Sequence, residues 1–286
     1  MTTKSIVITG VSSGIGYAAA AQLVGYGYNV FGSVRHQADA ERVQTELGER
    51  FTPLLFDVTD HEGVKTAVSQ VQSALGGQNL AGLVNNAGIS ALGPLAHMPL
   101  DDFRRQFEVN LFGLLDVTQQ FLPLLGARPH APEPRGRIVN VSSVSGRIAY
   151  PFFGACAASK HALEALSDAL RRELIVYGID VIVVEPGTTA TPIIDKASGE
   201  ADHYLDTPYG DIIRKMQAES VAERRASAIP VEKVSDIIVK ALEVAEPKAR
   251  YPIPRKRFSG WLLPRLLPAR WLDRIVAAQM GLHRLD

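Results

Sequence analysis

The chain has 286 residues, and its 30 Lys/Arg balance 30 Asp/Glu to a formal net charge of zero. With 46% hydrophobic and 21% charged residues and ordinary Gly and Pro usage, it is neither a disordered nor a collagen-like polymer, and it can bury one large core. The single cysteine, Cys156, excludes an internal disulfide framework and a Cys-based zinc site and points to a reducing, cytoplasmic compartment.

In chain order, residues 5–9 are a β-branched run expected as a strand, followed by glycines and an Ala-rich helix over 15–26. The apolar start, Ile6-Val7-Ile8, is too short for a signal peptide before Gly10, Ser12 and Ser13 interrupt it. Further strands are expected at 29–34, 53–57, 80–84, 137–142 and 180–184, with helices at 38–47, 62–75, 99–105, 109–125 and 157–177. The three prolines of residues 126–135 predict an exposed loop. After Thr191 the alternation weakens: 194–225 reads as an amphipathic helix, 231–244 as a helix, and Tyr251-Pro-Ile-Pro as extended. Apolar strands separated by helices predict an α/β fold, a Rossmann-type doubly wound parallel sheet flanked by helices on both faces in one domain.

Thr9-Gly10-Val11-Ser12-Ser13-Gly14-Ile15-Gly16 sits where a strand ends and a helix opens. There, glycines permit a tight turn and a close backbone approach, and the helix N-terminus offers free N–H groups to a phosphate. Taken alone, the motif fits a ligand-free glycine turn equally well. Its spacing is Gly-x-x-x-Gly-x-Gly, and other motifs follow in order: Asn85-Asn86-Ala87-Gly88, Asn110 in VNLFG, Ser142-Ser143, Ser159-Lys160, Pro186-Gly187 and Thr191. Together they resemble the short-chain dehydrogenase/reductase family over about the first 190 residues. TGVSSGIG, VNLFG and IVNVSSVSGRI are similar to its steroid and retinol dehydrogenase branch.

The resemblance implies that Gly10, Ser12, Ser13, Gly14, Ile15 and Gly16 hold a dinucleotide diphosphate. Asp57, with Val58 beside it, would take the adenine amino group. Asn86, Ala87 and Gly88 would line the adenosine ribose side, and Pro186, Gly187, Thr189 and Thr191 the nicotinamide half. Residues 1–253 would then be the dinucleotide-binding and catalytic body, with a substrate segment at 190–230, and residues 254–286 a tail of the same domain. NAD-selective sites carry an acid at the end of the second strand to hold the ribose 2′-OH. Here the chain reads Gly32-Ser33-Val34-Arg35-His36, so Arg35, helped by Ser12 or Ser33, suits a 2′-phosphate. NADP(H) is the expected cofactor and NAD(H) is disfavoured.

The family's chemistry uses a Ser, a Tyr, a Lys four residues after the Tyr, and an Asn. The Lys lowers the phenol pKa and holds the ribose, the phenol exchanges a proton with the substrate oxygen, the Ser hydrogen-bonds that oxygen, and the Asn keeps a water beside the Lys. Ser143, Lys160 and Asn110 occupy three of these positions, but Cys156 stands where the Tyr belongs, thirteen residues after Ser143 and four before Lys160. A thiol is acidic enough, with an ordinary pKa of ~8.5 against ~10, and Lys160 would lower it further. It is too short: a phenol oxygen lies on the order of 4 Å further from the backbone, and proton transfer needs heavy atoms within ~3 Å or one bridging water. Cys156 is open to several accounts: a replaced parent tyrosine, a low-activity or repurposed member, a thiol nucleophile with His161 nearby, or an inert helix cysteine. The expected function is hydride transfer between NADP(H) and a lipophilic ketone or secondary alcohol, with activity reduced or altered by Cys156. The alternative is a non-catalytic NADP(H)-binding sensor or interaction protein.

The expected substrate wall is mostly apolar: Ser143 at the reacting oxygen, then Tyr150, Phe152, Phe153, Leu92, Leu95, Ile193 and Ile194. Residues 248–286 carry nine Lys/Arg and two Asp, a net +7 against −7 for the rest, together with both tryptophans, Trp261 and Trp271. Such a tail suits an interfacial helix on anionic lipid, peripheral to a membrane. Pro264 and Pro268 interrupt it and favour a lid or a subunit contact instead. No nucleic-acid motif accompanies the charge. The family resemblance implies a homodimer or homotetramer built on helices 109–125 and 157–177.

Overall fold

Ile6, Val7 and Ile8 are all fully buried, which an isolated two-layer packing cannot achieve for consecutive strand residues. In the computed structural model, which describes residues 3–192, 201–218 and 226–284, they lie in β1 (Ser5–Ile8) at the centre of a parallel sheet. Ile6 and Ile8 face one core with Ala19, Ala20 and Leu23 of α1 (Gly14–Gly25) and Val234 and Ile238 of the helix Val231–Glu243. Val7 faces the other core, with Val64 and Val71 of α3 (His61–Leu75) and Val117 and Phe121 of α5 (Leu114–Phe121).

The other strands are β2 (Asn29–Val34), β3 (Phe51–Leu55), β4 (Gly82–Asn85), β5 (Arg137–Val141), β6 (Asp180–Pro186) and β7 (Arg250–Ile253). The seven run in the order β3-β2-β1-β4-β5-β6-β7. Connections leave β1 towards β2 on one side and return to β4 on the other. A crevice therefore opens at their carboxyl ends, where a doubly wound sheet binds its ligand.

Several boundaries differ from the sequence reading. The third strand ends at Leu55, so Asp57 lies beyond it in a turn, where its Oδ1 accepts from Thr59 N at 3.0 Å and Thr59 Oγ1 at 2.8 Å. Pro53 is tolerated because β3 is the sheet's edge, where a missing N–H faces away from the partner strand. The expected helix 109–125 is three pieces: a π-helical turn Glu108–Gly113 continuing α4 (Leu100–Phe107), then α5, then a 3₁₀ turn Leu122–Leu125. α6 (Gly154–Glu173) starts before the expected 157, which places Cys156 in its first turn. Tyr251-Pro-Ile belongs to a seventh strand paired with β6, again at an edge that tolerates proline. The expected helix 194–225 lies partly outside the described residues; within them it is a 3₁₀ turn Asp202–Tyr204 and a helix Gly210–Ala218.

A chain of buried amides crosses the sheet towards the site. Asn85 and Asn140 are register partners on β4 and β5. Asn85 Nδ2 donates to Asn140 Oδ1 and to Thr118 Oγ1, both at 2.9 Å, and Asn140 Nδ2 donates to Ser167 Oγ of α6 at 2.9 Å. Asn140 is fully buried, so truncation strands donors that water cannot reach. Asn140→Ala is expected to destabilise by about 2–3 kcal/mol in urea denaturation; a loss under about 0.5 kcal/mol would mean the ladder is not satisfied as described.

Candidate active site

The turn after β1 is shaped by close approach. Gly10 and Gly14 adopt left-handed backbone, with φ of +72° and +61°. A Cβ on Gly16 would lie 2.2 Å from the Gly10 carbonyl oxygen and 2.4 Å from Asn86 Nδ2, so only glycine fits there. Ser13 precedes α1 without capping it by its side chain, and the first turn carries no acid, which leaves the positive helix end and its N–H groups facing outward. Thr191 covers the turn, its Cγ2 3.0 Å from where a Gly14 Cβ would sit. This glycine cradle under a threonine fits a diphosphate, and Ser12, Ser13, Ile15 and Gly16 lie in or directly after it.

Two expected contacts have other work. Ser33 is buried, and its Oγ accepts from Gly10 N at 3.0 Å; it braces the turn from beneath and is not available to a 2′-phosphate. Asn86 Nδ2 donates to the carbonyls of Thr9 and Gly10, both at 3.0 Å. Its side chain is therefore a fastener between β4 and β1, and what it offers a ribose is backbone. Thr9 Oγ1 completes the clasp by accepting from Asn86 N and Ala87 N, each at 3.0 Å.

On the adenosine side Arg35 is exposed, with Nη1 3.9 Å from Asp57 Oδ2. Thr59 occupies the other Asp57 oxygen, so Oδ2 is the atom left to meet an adenine amino group. Val58 beneath it is buried in the core. A second cation went unrecognised in the sequence. Arg42, in α2 (Gln37–Leu47), donates from Nη2 to the Ser12 carbonyl at 2.6 Å and so reaches the same corner as Arg35.

The catalytic positions converge on α6. Lys160 is buried, and its Nζ donates to the Val141 carbonyl at 2.8 Å. Burial holds its pKa below the ordinary lysine value, while negative charge at Cys156 and Glu164 would pull it back up. Cys156 is a half-buried free thiol. Its carbonyl accepts from Ser159 Oγ at 2.9 Å, and Ser159 Oγ accepts from Asn110 Nδ2 at 3.3 Å. Asn110, in the π-helical turn, also exchanges two bonds with the Ile89 backbone: Ile89 N to Oδ1 at 2.9 Å and Nδ2 to Ile89 O at 3.1 Å. Its amide thus locks the loop after Gly88 onto α6. Buried Gln106, one turn earlier, holds the same loop onto α4, accepting from Ala91 N at 2.7 Å and donating to Ile89 O at 2.6 Å. Ser143 Oγ accepts from Ser145 N at 3.0 Å, which leaves its hydroxyl proton for a substrate oxygen.

Around this shelf, Pro186 and Thr189 are buried and Gly187 is half-buried. Gly187 N donates to the Ile253 carbonyl at 2.9 Å, and Thr189 Oγ1 donates to the Gly187 carbonyl at 2.9 Å. Tyr150 is half-buried, and its carbonyl accepts from Phe153 N at 3.3 Å, so Phe153 closes the turn into α6. Phe152 is buried at φ +69° and meets Tyr209 edge-on at 5.7 Å. Tyr204 fills the space over Gly93, where a Cβ would come within 2.3 Å of its ring. Tyr204 and Tyr209 were not anticipated, because the segment that carries them has no motif. Ile193 and Ile194 lie outside the described residues.

Behind the shelf sits an ionic cluster. Glu164, one turn beyond Lys160, is met by Arg147 Nη2 at 3.1 Å and Arg250 Nε at 3.0 Å. Arg147 Nε reaches Glu185 at 3.2 Å. Glu185 is 1% exposed and directly precedes Pro186. Burial first, and then the charge of Glu164, push its pKa up to about 7.

A family model described as short chain dehydrogenase matches residues 4–202. The chain is 40% identical over 269 residues to an NADPH-dependent 3-dehydrocapnine reductase of Ornithobacterium rhinotracheale, covering 94% of each. It is 34% identical over 285 residues to retinol dehydrogenase 5 of Mus musculus, covering 95% of this chain and 87% of that protein. Among solved structures, a short-chain dehydrogenase from Streptomyces avermitilis superposes with a TM-score of 0.72 at 26% identity, covering 98% of this chain and 96% of the other. The chain belongs to the short-chain dehydrogenase/reductase family, whose members are oxidoreductases.

The raised Glu185 pKa sets a pH dependence. Between the usual carboxylate range and about 7, the folded protein keeps a proton that the unfolded chain releases. Stability contributed by this group is therefore full at low pH and lost as pH rises to 7. In scanning calorimetry, the Tm of Glu185→Gln relative to the parent is expected to rise from about pH 5 to about pH 8; a constant difference would show that Glu185 titrates normally.

Proposed function

We propose that the chain is an NADP(H)-dependent oxidoreductase acting on a lipophilic ketone or secondary alcohol, with its proton-transfer step slowed by Cys156. The observation that carries the cofactor part is the glycine cradle roofed by Thr191, with Arg35 and no acid just past β2. The similarity to an NADPH-dependent reductase supports the same choice. Exposed Arg35 offers the cationic partner that a 2′-phosphate needs, while Arg42, paired with Asp39 and Glu46, braces the Ser12 carbonyl. A nicotinamide cofactor held there would supply the hydride exchange with the substrate carbon.

The chain's own residues do the rest. Ser143 donates its hydroxyl proton as a hydrogen bond to the substrate oxygen and orients it. Asn110 and Ser159 hold the first turn of α6, and with it residue 156, against the loop after Gly88. Lys160 supplies positive charge beneath the shelf. One of its three N–H donors is held by the Val141 carbonyl, and the other two would be open to a ribose. Cys156 cannot reach the substrate oxygen directly, so a proton passes through one water in the volume a phenol would fill. Distance limits this step, since a matched pKa transfers nothing beyond hydrogen-bond reach. Phe152 and Tyr209 supply the apolar wall for the substrate. We extend the proposal to a homodimer or homotetramer, which exposed Phe112, Ile175 and Val176 on the faces of the π-helical turn and the end of α6 favour.

A second reading, an NADP(H)-binding protein without turnover, is favoured by the same thiol and by the engagement of Lys160 with Val141. One exchange separates them. Cys156→Tyr, assayed by NADPH oxidation on a panel of lipophilic ketones, is expected to raise kcat at least about 100-fold, the lower end of what a positioned acid contributes. No gain on any ketone would contradict the lost-donor account and leave the non-catalytic reading.

A further inference from the structure

The tail beyond β7 departs from the body beside the site. A Cβ on Gly187 would lie 3.5 Å from Arg255 N, and Arg265 lines a cavity of about 440 Å³ with Gly146, Arg147 and His161. Gly187 and Arg255 follow the carboxyl ends of β6 and β7, so the tail starts beside the crevice; the cavity that Arg265 lines continues along α6 to Glu164 and Asp168 and to Arg250 at the start of β7. As its prolines suggested, it is not one continuous helix: extended Leu267 and Pro268 separate the short helix from the last one. Pro264 falls in the first turn of the short helix Leu263–Leu266, and Pro268 immediately precedes the helix Ala269–Met280. Both are positions where proline costs a helix nothing.

What the tail presents outward is apolar and basic together. Trp261 and Val276 turn inward and are buried, at 7% and 9% exposure. Phe258, Leu262 and Leu266 recur every fourth residue and stand in solvent, with Leu266 71% exposed. On the last helix, Trp271 and Ile275 form one exposed stripe, with Trp271 62% exposed. Arg270 and Arg274 form the adjoining stripe at the same spacing. Between residues 255 and 274 the chain carries six Lys/Arg and a single acid, Asp273, which pairs with Arg270 at 3.7 Å.

Among the described residues no helix is long and apolar enough to cross a membrane. A twofold contact between two copies would set this patch against itself, bringing its cations face to face. An anionic bilayer surface satisfies both halves of the patch: headgroup phosphates take the arginines, and the acyl boundary takes Phe258, Leu266 and Trp271. We propose that the tail docks the protein on an anionic membrane surface. It rests on the lipophilic-substrate reading for its purpose, since a bilayer is where such a substrate resides. The docking itself is measured without turnover, so either can fail alone.

The test uses the full chain with vesicles of phosphatidylcholine, alone or with about one-third phosphatidylglycerol. Expected are co-sedimentation with the anionic vesicles only, release at high salt, and a blue shift of tryptophan emission in Trp261→Phe, where Trp271 is the sole reporter. Arg270→Glu/Arg274→Glu is expected to weaken vesicle binding at least about tenfold. Trp271→Ser/Ile275→Ser should do the same while circular dichroism stays unchanged. Absence of sedimentation at low salt, equal binding to neutral vesicles, or a serine variant whose only change is a smaller oligomer in ultracentrifugation would overturn the proposal, the last pointing to a second copy as occupant.

Discussion

The carboxyl end of β1 is clasped from three sides. β2 contributes the Ser33 hydroxyl beneath Gly10, and β4 contributes the Asn86 amide across Thr9 and Gly10. Thr9 returns two bonds to the start of the next loop. These side-chain bonds are made inside the protein, which fixes the turn before any ligand arrives. The helix end that follows is left without a side-chain cap, so the rigid turn and the free N–H groups are two halves of one arrangement. A site built this way loses little entropy on binding, because its backbone is already ordered.

The same economy governs α6. Asn110 and Ser159 hold it against the β4 loop, and Asn140 ties its middle to the sheet through Ser167. On the proposed reading, residue 156 is where a longer side chain would reach the substrate oxygen, on a helix held in place by these bonds. The ionic cluster at Glu164 and Glu185 lies directly behind Lys160 and Pro186. Protonation of Glu185 near neutral pH would change the field at both.

The strands were legible because Ser5–Ile8, Asn29–Val34 and Asp180–Pro186 are apolar runs that only a sheet buried on both faces can hold. The phosphate turn was legible because its glycines are demanded by contacts that Gly10 and Gly16 make. Other features were hidden. β3 and β7 were blurred by Pro53 and Pro252, which edge strands accept. The π-helical turn carrying Asn110 leaves no mark on hydrophobic periodicity. Ser33 reads as a surface serine until β2 is seen to run beneath the turn. Arg42 and the Tyr204–Tyr209 wall depend on tertiary approach between segments without motifs, whereas the break in the tail was legible, since Pro268 separates its two helices.

The account depends on a rigid turn that receives a diphosphate and on a basic corner that selects a 2′-phosphate. Calorimetric titration of the unmodified protein with NADPH and NADH tests both at once. The account predicts saturable binding of NADPH, tighter than NADH by at least about tenfold, the weight of one charge-assisted contact. Binding of neither, or a preference for NADH, would contradict it.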